Sequence, residues 1–395
     1  MTAQTPAHAH GAPPLWRDIR VLRIVAQVVA VLVVVGILAW MTNNMLTTMS
    51  ERRLGFGFSF LGRQAGFDIS ESPIPYTPRN TYLTAFLVGL LNTLFVSVIG
   101  IILSTILGII VGVARLSPNW LVNKVAAGYV ELIRNTPLLV QLFLLYFGVF
   151  LQLPTVANTL KIGEGAFLNQ RGVFIPGPQA APGIGIWIGF VVAGIVLAFV
   201  ARAVARRLED EGRSSYRLRT LGVLGIFAMA AVGWFAAGGQ PLTFDLPVQE
   251  RFNLVGGLRL SPEFSALLFG LVLYTAAFIG EVVRGGIQAV RRGQLEAARA
   301  LGLSEGQTLQ LVIFPQALRI IVPPLTSQYL NLAKNSSLAI AIGYPDLFRV
   351  GQTMANQTGQ PVPVMILVMG TYLAISLAAS LFMNIYNRRV QVIER

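Results

Sequence analysis

Long runs of apolar residues constrain this chain more than any other feature of its sequence. A helix needs roughly 20 apolar residues to cross a bilayer. Such runs predict eight membrane spans, at 22–45, 84–114, 124–151, 184–202, 219–238, 263–284, 316–342 and 362–386. Only 12% of the residues are charged, whereas soluble domains carry about 25%. The chain is therefore predicted to be an all-α integral membrane protein.

The first apolar run follows Arg17, Arg20 and Arg23 and resembles the hydrophobic part of a signal peptide. That part of a signal peptide usually has roughly 7–15 residues, and this run is longer, at about 20 residues. No clear small-residue cleavage site follows it. We therefore expect a retained helix.

The basic residues predict how the chain is oriented in the membrane. Its net charge is +13 and rests mainly on arginine, because Lys124, Lys161 and Lys334 are the only lysines. If the N-terminus lies inside the cell, the cytoplasmic loops carry roughly twice as many basic residues as the opposite loops, as the positive-inside rule requires. Both termini are therefore predicted to be cytoplasmic. The excess of positive charge indicates orientation in a membrane rather than nucleic-acid binding.

The predicted outer loops and the composition limit the kinds of site. Residues 47–83 and 152–183 are rich in Gly, Pro and aromatics, as is typical of irregular loops that serve as docking surfaces or plain connectors. The sequence has no cysteine, which excludes disulfides and thiolate metal sites. The only histidines, His8 and His10, lie in an N-terminal tail of small residues. We expect no metal site and no catalytic constellation in this chain.

One polar segment, "LEAARALGLSEGQTLQLVIFP" at 295–315, interrupts the apolar pattern on the predicted cytoplasmic side. Its first part has good helix composition, and Gly302 is placed to end that helix in a left-handed turn. Ser304 then begins a second helix, with Gln307 completing a capping box. Pro315 is expected to begin or kink the next span. The segment is predicted to be a helix, a glycine corner and a second helix.

The first of these two helices is thin, because Ala297, Ala298 and Ala300 have small side chains. Glu296 and Arg299 are three residues apart and can pair on one face. A thin helix of this kind suits insertion into a groove on a partner protein. An amphipathic loop helix that lies on the membrane explains the same residues equally well.

The same segment resembles the EAA loop of ABC importer permeases. Five residues match that motif in place, namely Glu296, Ala297, Ala298, Gly302 and Pro315, while Val312 and Phe314 replace its isoleucine and leucine. Together with "YVELIRNTPLLVQLFLLYFG", "GEVVRGGIQAVRRGQ" and "NLAKNSSLAIAIGYPDL", the sequence is similar to the polar amino acid permeases, which include the histidine, glutamine and general L-amino acid types. The resemblance covers about 80–150 and 262–390 of this chain.

The resemblance implies a five-helix permease core to which helices have been added. It divides the chain into a cytoplasmic N-terminal tail, a first helix with its periplasmic loop, the first part of the core, an insertion with two extra helices, and the second part of the core with the EAA loop. The corresponding ranges are 1–21, 22–83, 84–151, 152–262 and 263–390, with the loop at 285–315.

The resemblance also implies that the loop couples the chain to a separate ATPase. The residues expected to do so are Glu296, Ala297, Ala298, Arg299, Gly302, Leu303, Ser304, Glu305 and Pro315. No phosphate-binding motif G-x-x-x-x-G-K-[ST] occurs in the sequence, so ATP and Mg²⁺ are expected on the partner ATPase and no cofactor in this chain. The chain is thus expected to be a transport subunit and not an enzyme.

Several partners follow from the same resemblance. They are two ATPase subunits, a second homologous permease or a second copy of this chain, a periplasmic amino-acid-binding protein, an L-amino acid, and membrane lipid, but no nucleic acid. The implied location is the bacterial inner membrane.

Polar residues on the seventh predicted span are candidates for the substrate pathway. Ser327, Gln328, Asn331, Lys334 and Asn335 fall on one helix face. Polar groups inside a span are costly and commonly line a pathway, although hydrogen bonding between helices is the alternative. Lys334, with Asn331 and Asn335, could bind an amino acid carboxylate.

The third predicted span carries Glu131, Arg134 and Asn135, followed by a break or bend at Pro137. Glu131 and Arg134 can pair along the helix. The group fits a gate or a carboxylate contact, and equally an anchor at the cytoplasmic end. Glu281 could bind an ammonium group or simply pair with Arg284.

Two other classes of protein remain possible from the sequence. A secondary transporter driven by an ion gradient would also use ionisable groups inside the membrane, but the sequence has no convincing internal repeat to favour it. A channel or membrane scaffold is disfavoured by the polar face of the seventh span.

Overall fold

The computed structural model describes residues 16, 18–51, 57–163, 165–210, 216–250 and 253–390. Within these ranges the chain forms twelve α-helices: α1 (Ile19–Glu51), α2 (Tyr82–Ala114), α3 (Trp120–Asn135), α4 (Leu138–Phe143), α5 (Ile184–Asp210), α6 (Tyr216–Ala236), α7 (Pro262–Gln288), α8 (Arg292–Ala300), α9 (Glu305–Thr308), α10 (Phe314–Asn335), α11 (Leu347–Thr358) and α12 (Pro361–Val390). Short 3₁₀ turns lie at Ser59–Gly62, Phe150–Gln152, Val156–Asn158 and Ser336–Ile342.

Seven helices in the described part of the chain are long and apolar enough to cross a membrane, and a bent pair raises the number to eight. The expectation of an all-α membrane protein with about eight spans is thereby confirmed. Each predicted span coincides with one of these helices or with the bent pair. The finer division into a core and additions stays a prediction.

The third predicted span, 124–151, is not one straight helix. It consists of α3 and the segment Leu138–Gln152, which meet at an angle of 105°. Pro137 disfavours helical geometry in the residue before it, and Thr136 accordingly has an extended backbone. The Gln141 side chain donates to the Ile133 carbonyl over 2.9 Å, which satisfies an acceptor that the break leaves free. The predicted break at Pro137 is confirmed.

The bundle is built around α2 and α7, which approach each other through small residues. A Cβ atom placed on Gly112 would lie 2.7 Å from the Gly280 carbonyl oxygen, so only glycine permits this approach. Buried residues of α2, α4, α7 and α10 form the main core, among them Val96, Leu142, Leu271 and Leu332. Small side chains at such contacts are the usual means by which membrane helices pack closely.

The two ends of this bundle differ in character. One end carries Arg115 after α2, Arg284 near the end of α7, and the α8–α9 loop, and we call it the arginine end. The other end carries eight short strands in the part of the chain that the structure describes, and we call it the strand end.

The strands overturn the expectation that 152–183 is an irregular loop. A four-stranded antiparallel sheet is formed by β1 (Leu160–Ile162), β2 (Ala166–Asn169), β3 (Gly172–Ile175) and β8 (Leu258–Leu260). Two antiparallel pairs join β4 (Gly177–Ala180) to β5 (Leu242–Asp245) and β6 (Val248–Gln249) to β7 (Leu254–Val255). These strands have only two to four residues each. Alternation of polar and apolar residues over so few positions gives no usable signal.

Three helices lie at the edge of the molecule. The side chains of α1 are almost all exposed, as are most of those of α5 and α6. The last two pack mainly on each other, and the Trp187 indole donates to the Ala230 carbonyl over 3.0 Å. The central bundle is therefore packed largely without α1 and without this α5–α6 hairpin.

Candidate coupling loop and polar pathway

The polar segment at the arginine end forms the predicted elbow. Helix α8 ends at Ala300, and Gly302 has φ +77°, the left-handed conformation expected of it. The Leu303 amide donates to the Ala298 carbonyl over 3.2 Å and the Gly302 amide to the Arg299 carbonyl over 3.0 Å. These two bonds form a Schellman motif, which fixes the direction of the chain after the helix.

The second arm of the elbow begins with the predicted capping box. The Ser304 hydroxyl accepts from the Gln307 amide over 3.3 Å, and the Gln307 side chain accepts from the Ser304 amide over 2.9 Å. From Glu305 the chain stays helical through a π-helical turn at Leu309–Ile313 into α10. Pro315 is the second residue of α10 and directly follows the π-helical turn, where the helical hydrogen bonding is already irregular. The elbow and the long helix are thus one continuous element.

The outer face of the elbow is open. Glu296, Ala297 and Ala300 are exposed, and Leu301 is 81% exposed at the corner, whereas Ala298 is buried against the protein. The expected pair of Glu296 and Arg299 is wrong. Arg299 instead lies 3.9 Å from Glu305, because the turn at Gly302 brings the second arm back beside the first.

A cluster of charges lies at the arginine end, where it links the end of α2 to α7. Both Arg115 and Arg284 donate to Glu281, and the Arg284 Nε atom lies 3.1 Å from its Oε1 atom. Of the two roles considered for Glu281, the pairing with Arg284 is therefore the one observed. Its carboxylate joins the ends of α2 and α7 by a contact between residues 166 positions apart.

Three of the predicted pathway residues share a cavity with this cluster. Glu131, Arg134 and Asn135 line a cavity of about 350 Å³ together with Arg115 and Glu281. The expected pair of Glu131 and Arg134 is wrong, because the Arg134 guanidinium lies over the Phe278 ring, 5.1 Å from its centre. A cation over an aromatic face is attracted by the ring electrons.

The polar face of α10 lies elsewhere. Ser327, Asn331 and Lys334 are exposed, Gln328 and Asn335 are half-buried, and Leu332 on the opposite face is buried in the core. Lys334 lines a separate cavity of about 320 Å³ with residues of α12, including Tyr372. The predicted pathway residues therefore form two groups, one at the arginine end and one along α10.

A third cavity, of about 590 Å³, lies at the strand end and was not anticipated from the sequence. Its lining includes Glu71, Arg259, Glu263 and Tyr344. These residues come from three distant parts of the chain, and only Arg259 and Glu263 lie near each other in sequence. No periodicity within one element could have grouped them.

The sequence relationships agree with this architecture. Residues 104–392 match the family described as "Binding-protein-dependent transport system inner membrane component". The chain is 45% identical over 373 residues to the putative amino-acid ABC transporter permease protein YhdX of Escherichia coli (strain K12), covering 93% of this chain and 94% of that protein.

Two further relatives are similar along nearly their whole length. The general L-amino acid transport system permease protein AapQ of Rhizobium johnstonii is 43% identical, with 93% of this chain and 92% of that protein covered. The glutamate/glutamine/aspartate/asparagine transport system permease protein BztB of Rhodobacter capsulatus is 40% identical, with 96% of each covered. The chain therefore belongs to the family of binding-protein-dependent transport system inner membrane components, the permeases of ABC importers.

Proposed function

We propose that this chain is the permease subunit through which an ABC importer moves L-amino acids across the bacterial inner membrane. The names of the relatives, all of them amino-acid permeases, support this class of substrate. In this proposal the arginine end is cytoplasmic and the strand end faces the periplasm. An amino-acid-binding protein delivers the substrate at the strand end.

The elbow at 295–315 couples transport to ATP hydrolysis on partner ATPase subunits. The observation that carries this step is the continuous path from an exposed corner into a membrane helix. A force applied at Leu301 reaches α10 through the Schellman turn, the capping box and unbroken helical backbone. A stiff element transmits a displacement as a rigid body. Glu296, Ala297, Arg299, Leu303 and Glu305 would contact the ATPase.

The polar face of α10 forms part of the substrate pathway. A lysine exposed on one side of a membrane span requires water or a polar partner. A second permease subunit that packs against this face would enclose Lys334, Asn331 and Asn335 in a shared channel. The group formed by Glu131, Arg134 and Asn135 then lies at the cytoplasmic exit.

Replacing Gly302 with proline tests the coupling step. Proline fixes φ near −65°, whereas Gly302 has φ +77°, so the corner must reorganise. In proteoliposomes that contain the whole transporter, we expect amino acid uptake driven by ATP to fall at least about tenfold, while ATP hydrolysis continues without a response to substrate.

The matched control is Gly306→Pro, because Gly306 lies in the first turn of α9, where proline is tolerated. Unchanged uptake by the Gly302→Pro transporter would contradict the coupling role. Uptake by the wild-type chain that depends on an ion gradient and not on ATP would contradict the proposed function as a whole.

A further inference from the structure

The cavity at the strand end is walled by three parts of the chain that hydrogen bonds hold together. The Asn92 side chain is 2% exposed and donates to the carbonyls of both Glu71 and Pro345, each over 2.9 Å. The Tyr344 hydroxyl donates to the Asn92 carbonyl over 3.4 Å. The loop that carries Glu71 is thus fixed against α2 and against the segment that precedes α11.

Charges of both signs face this cavity. Glu71 and Glu263 lie close enough that the charge of Glu263 raises the pKa of Glu71, and Arg259 lowers it. The Arg259 Nε atom donates to the Arg171 carbonyl over 3.2 Å, which anchors the guanidinium of this β8 residue at the turn between β2 and β3. The Tyr146 hydroxyl donates to Glu263 over 2.7 Å. The cavity therefore holds two carboxylates and one guanidinium in a fixed arrangement.

One oxygen atom of the Glu71 carboxylate lacks a hydrogen-bond partner among the described residues. The Oε1 atom of Glu71 is buried, and none of the described residues gives it a hydrogen bond. A buried acceptor without a donor costs free energy, of the order of 1–3 kcal/mol. A ligand that brings an N–H donor would remove this cost, which points to a cation with hydrogen-bonding protons.

We infer that this cavity is a reception site for the α-amino acid zwitterion, in which Glu71 and Glu263 bind the ammonium group and Arg259 binds the carboxylate. The rings of Phe95 and Phe264, with centres 5.7 Å apart, line the same cavity and offer an apolar surface to a side chain. The volume of about 590 Å³ lies within the range of small-molecule sites, roughly 300–1,000 Å³.

This inference rests on the proposed function and adds a place where the substrate pauses before it enters the pathway along α10. A simple amine would satisfy the carboxylates but would leave Arg259 unused. A carboxylate without an ammonium group would bind Arg259 but would be repelled by the negative charges of Glu71 and Glu263. Only a ligand with both charges matches all three residues.

The test uses the full-length chain purified with its associated subunits and placed in lipid nanodiscs. The probe is a mixture of the twenty radiolabelled L-amino acids, without ATP. We expect Glu71→Gln and Arg259→Gln each to weaken equilibrium binding at least about tenfold and to raise the KM of uptake, with little change in kcat. The matched controls are Glu250→Gln and Arg79→Gln, which change exposed residues outside the cavity.

A competition series distinguishes the chemistry of the ligand. We expect 2-aminobutyrate to displace the probe at least about tenfold better than butylamine or butyrate. Equal displacement by butylamine would show a simple amine site and overturn the inference. Unaltered binding and KM in both variants, with wild-type uptake driven by ATP, would overturn it and leave the proposed function standing. If the wild-type transporter takes up no amino acid, the proposed function itself fails.

The pH dependence gives a second readout. Burial, and then the charge of Glu263, raise the pKa of Glu71 to about 7, while Arg259 and the Ser261 amide oppose the shift. The other titratable groups on this cavity are Glu263, Arg259 and Tyr344, and burial raises the pKa of Tyr344, which stays neutral. Glu71 is therefore mostly protonated at pH 6 and ionised at pH 8. Binding should strengthen by up to about tenfold over this range, and Glu71→Gln should remove the dependence.

Discussion

At the scale of single residues, the charge of Lys334 costs free energy inside a membrane span, and a function would explain why it is there. A lysine at the centre of a membrane helix costs about 2.5–3.5 kcal/mol on insertion scales, and Lys334 lies off centre, in the last turn of α10 and within the candidate span Glu305–Ile342. The side chain is nevertheless exposed on α10, beside Asn331 and away from the buried Leu332. A stable fold would tolerate this position only if water, a partner subunit or a substrate meets the charge.

Replacing Lys334 with methionine should therefore impair transport rather than folding. We expect the rate of amino acid uptake to fall at least about tenfold, because a carboxylate loses its cation in the pathway. The protein should remain folded, since the substitution removes a desolvation cost. Uptake in proteoliposomes measures the effect, with Lys161→Met as the control, because Lys161 is exposed on β1 at the strand end. Normal uptake kinetics would remove Lys334 from the pathway.

Residue partners were predictable only where they lie close in sequence. The pair of Glu281 and Arg284 is three positions apart and was among the alternatives. The contact from Arg115 to the same carboxylate spans 166 positions and gave no signal. Glu131 and Arg134 had suitable spacing, yet Phe278 from another helix attracts the guanidinium instead. Tertiary neighbours thus override what spacing along one helix suggests.

At the scale of elements, structure with local causes was predictable and structure with distant causes was not. Gly302, Ser304 and Gln307 determine the elbow within six residues, and the structure has that elbow. The short helix α11 depends on Asp346, whose side chain caps it and accepts a hydrogen bond from Tyr372. The sheet at the strand end depends on pairing between β3 and β8 across most of the 152–262 segment.

The contact of α2 with α7 gives a prediction at this scale. Gly112→Val would place side-chain atoms where the Gly280 carbonyl already lies. Overpacking of this kind costs about 1–3 kcal/mol or more, so the melting temperature in detergent should fall by several degrees. The control is Gly128→Val on α3, where no atom lies within 4 Å of a new Cβ. Equal melting temperatures for the two variants would show that the helices can separate at no cost.

At the scale of the whole molecule, apolar run length fixes the number and order of the spans, and the arginine and lysine positions only predict the orientation. The number of spans follows from the thickness of the bilayer, and the structure agrees with that number. The orientation depends on how the chain inserts during synthesis, and the fold by itself is compatible with either orientation. Orientation is therefore a matter for experiment.

The absence of cysteine makes that experiment direct, since any introduced thiol is the only one. We expect Glu250→Cys, at the strand end, to react with a membrane-impermeant maleimide in cells whose outer membrane has been opened. Gly293→Cys, at the start of α8, should react only after lysis. Both positions are exposed, so access rather than burial decides the result. The reverse pattern would place the elbow outside the cell and contradict ATPase coupling.

Two strand pairs at the base of the α5–α6 hairpin, β4 with β5 and β3 with β8, have a consequence for the evolution of this chain. Gly177 lies opposite Asp245, and Ile175 opposite Leu258, so the polypeptide leaves the bundle and returns to it at almost the same point. A segment whose two ends are neighbours can be acquired, lengthened or lost in one genetic step, because a short connection is enough to join the two flanking parts of the chain. Helices α5 and α6 therefore have the geometry of an inserted segment, because the path of the chain through the central bundle is the same with or without them.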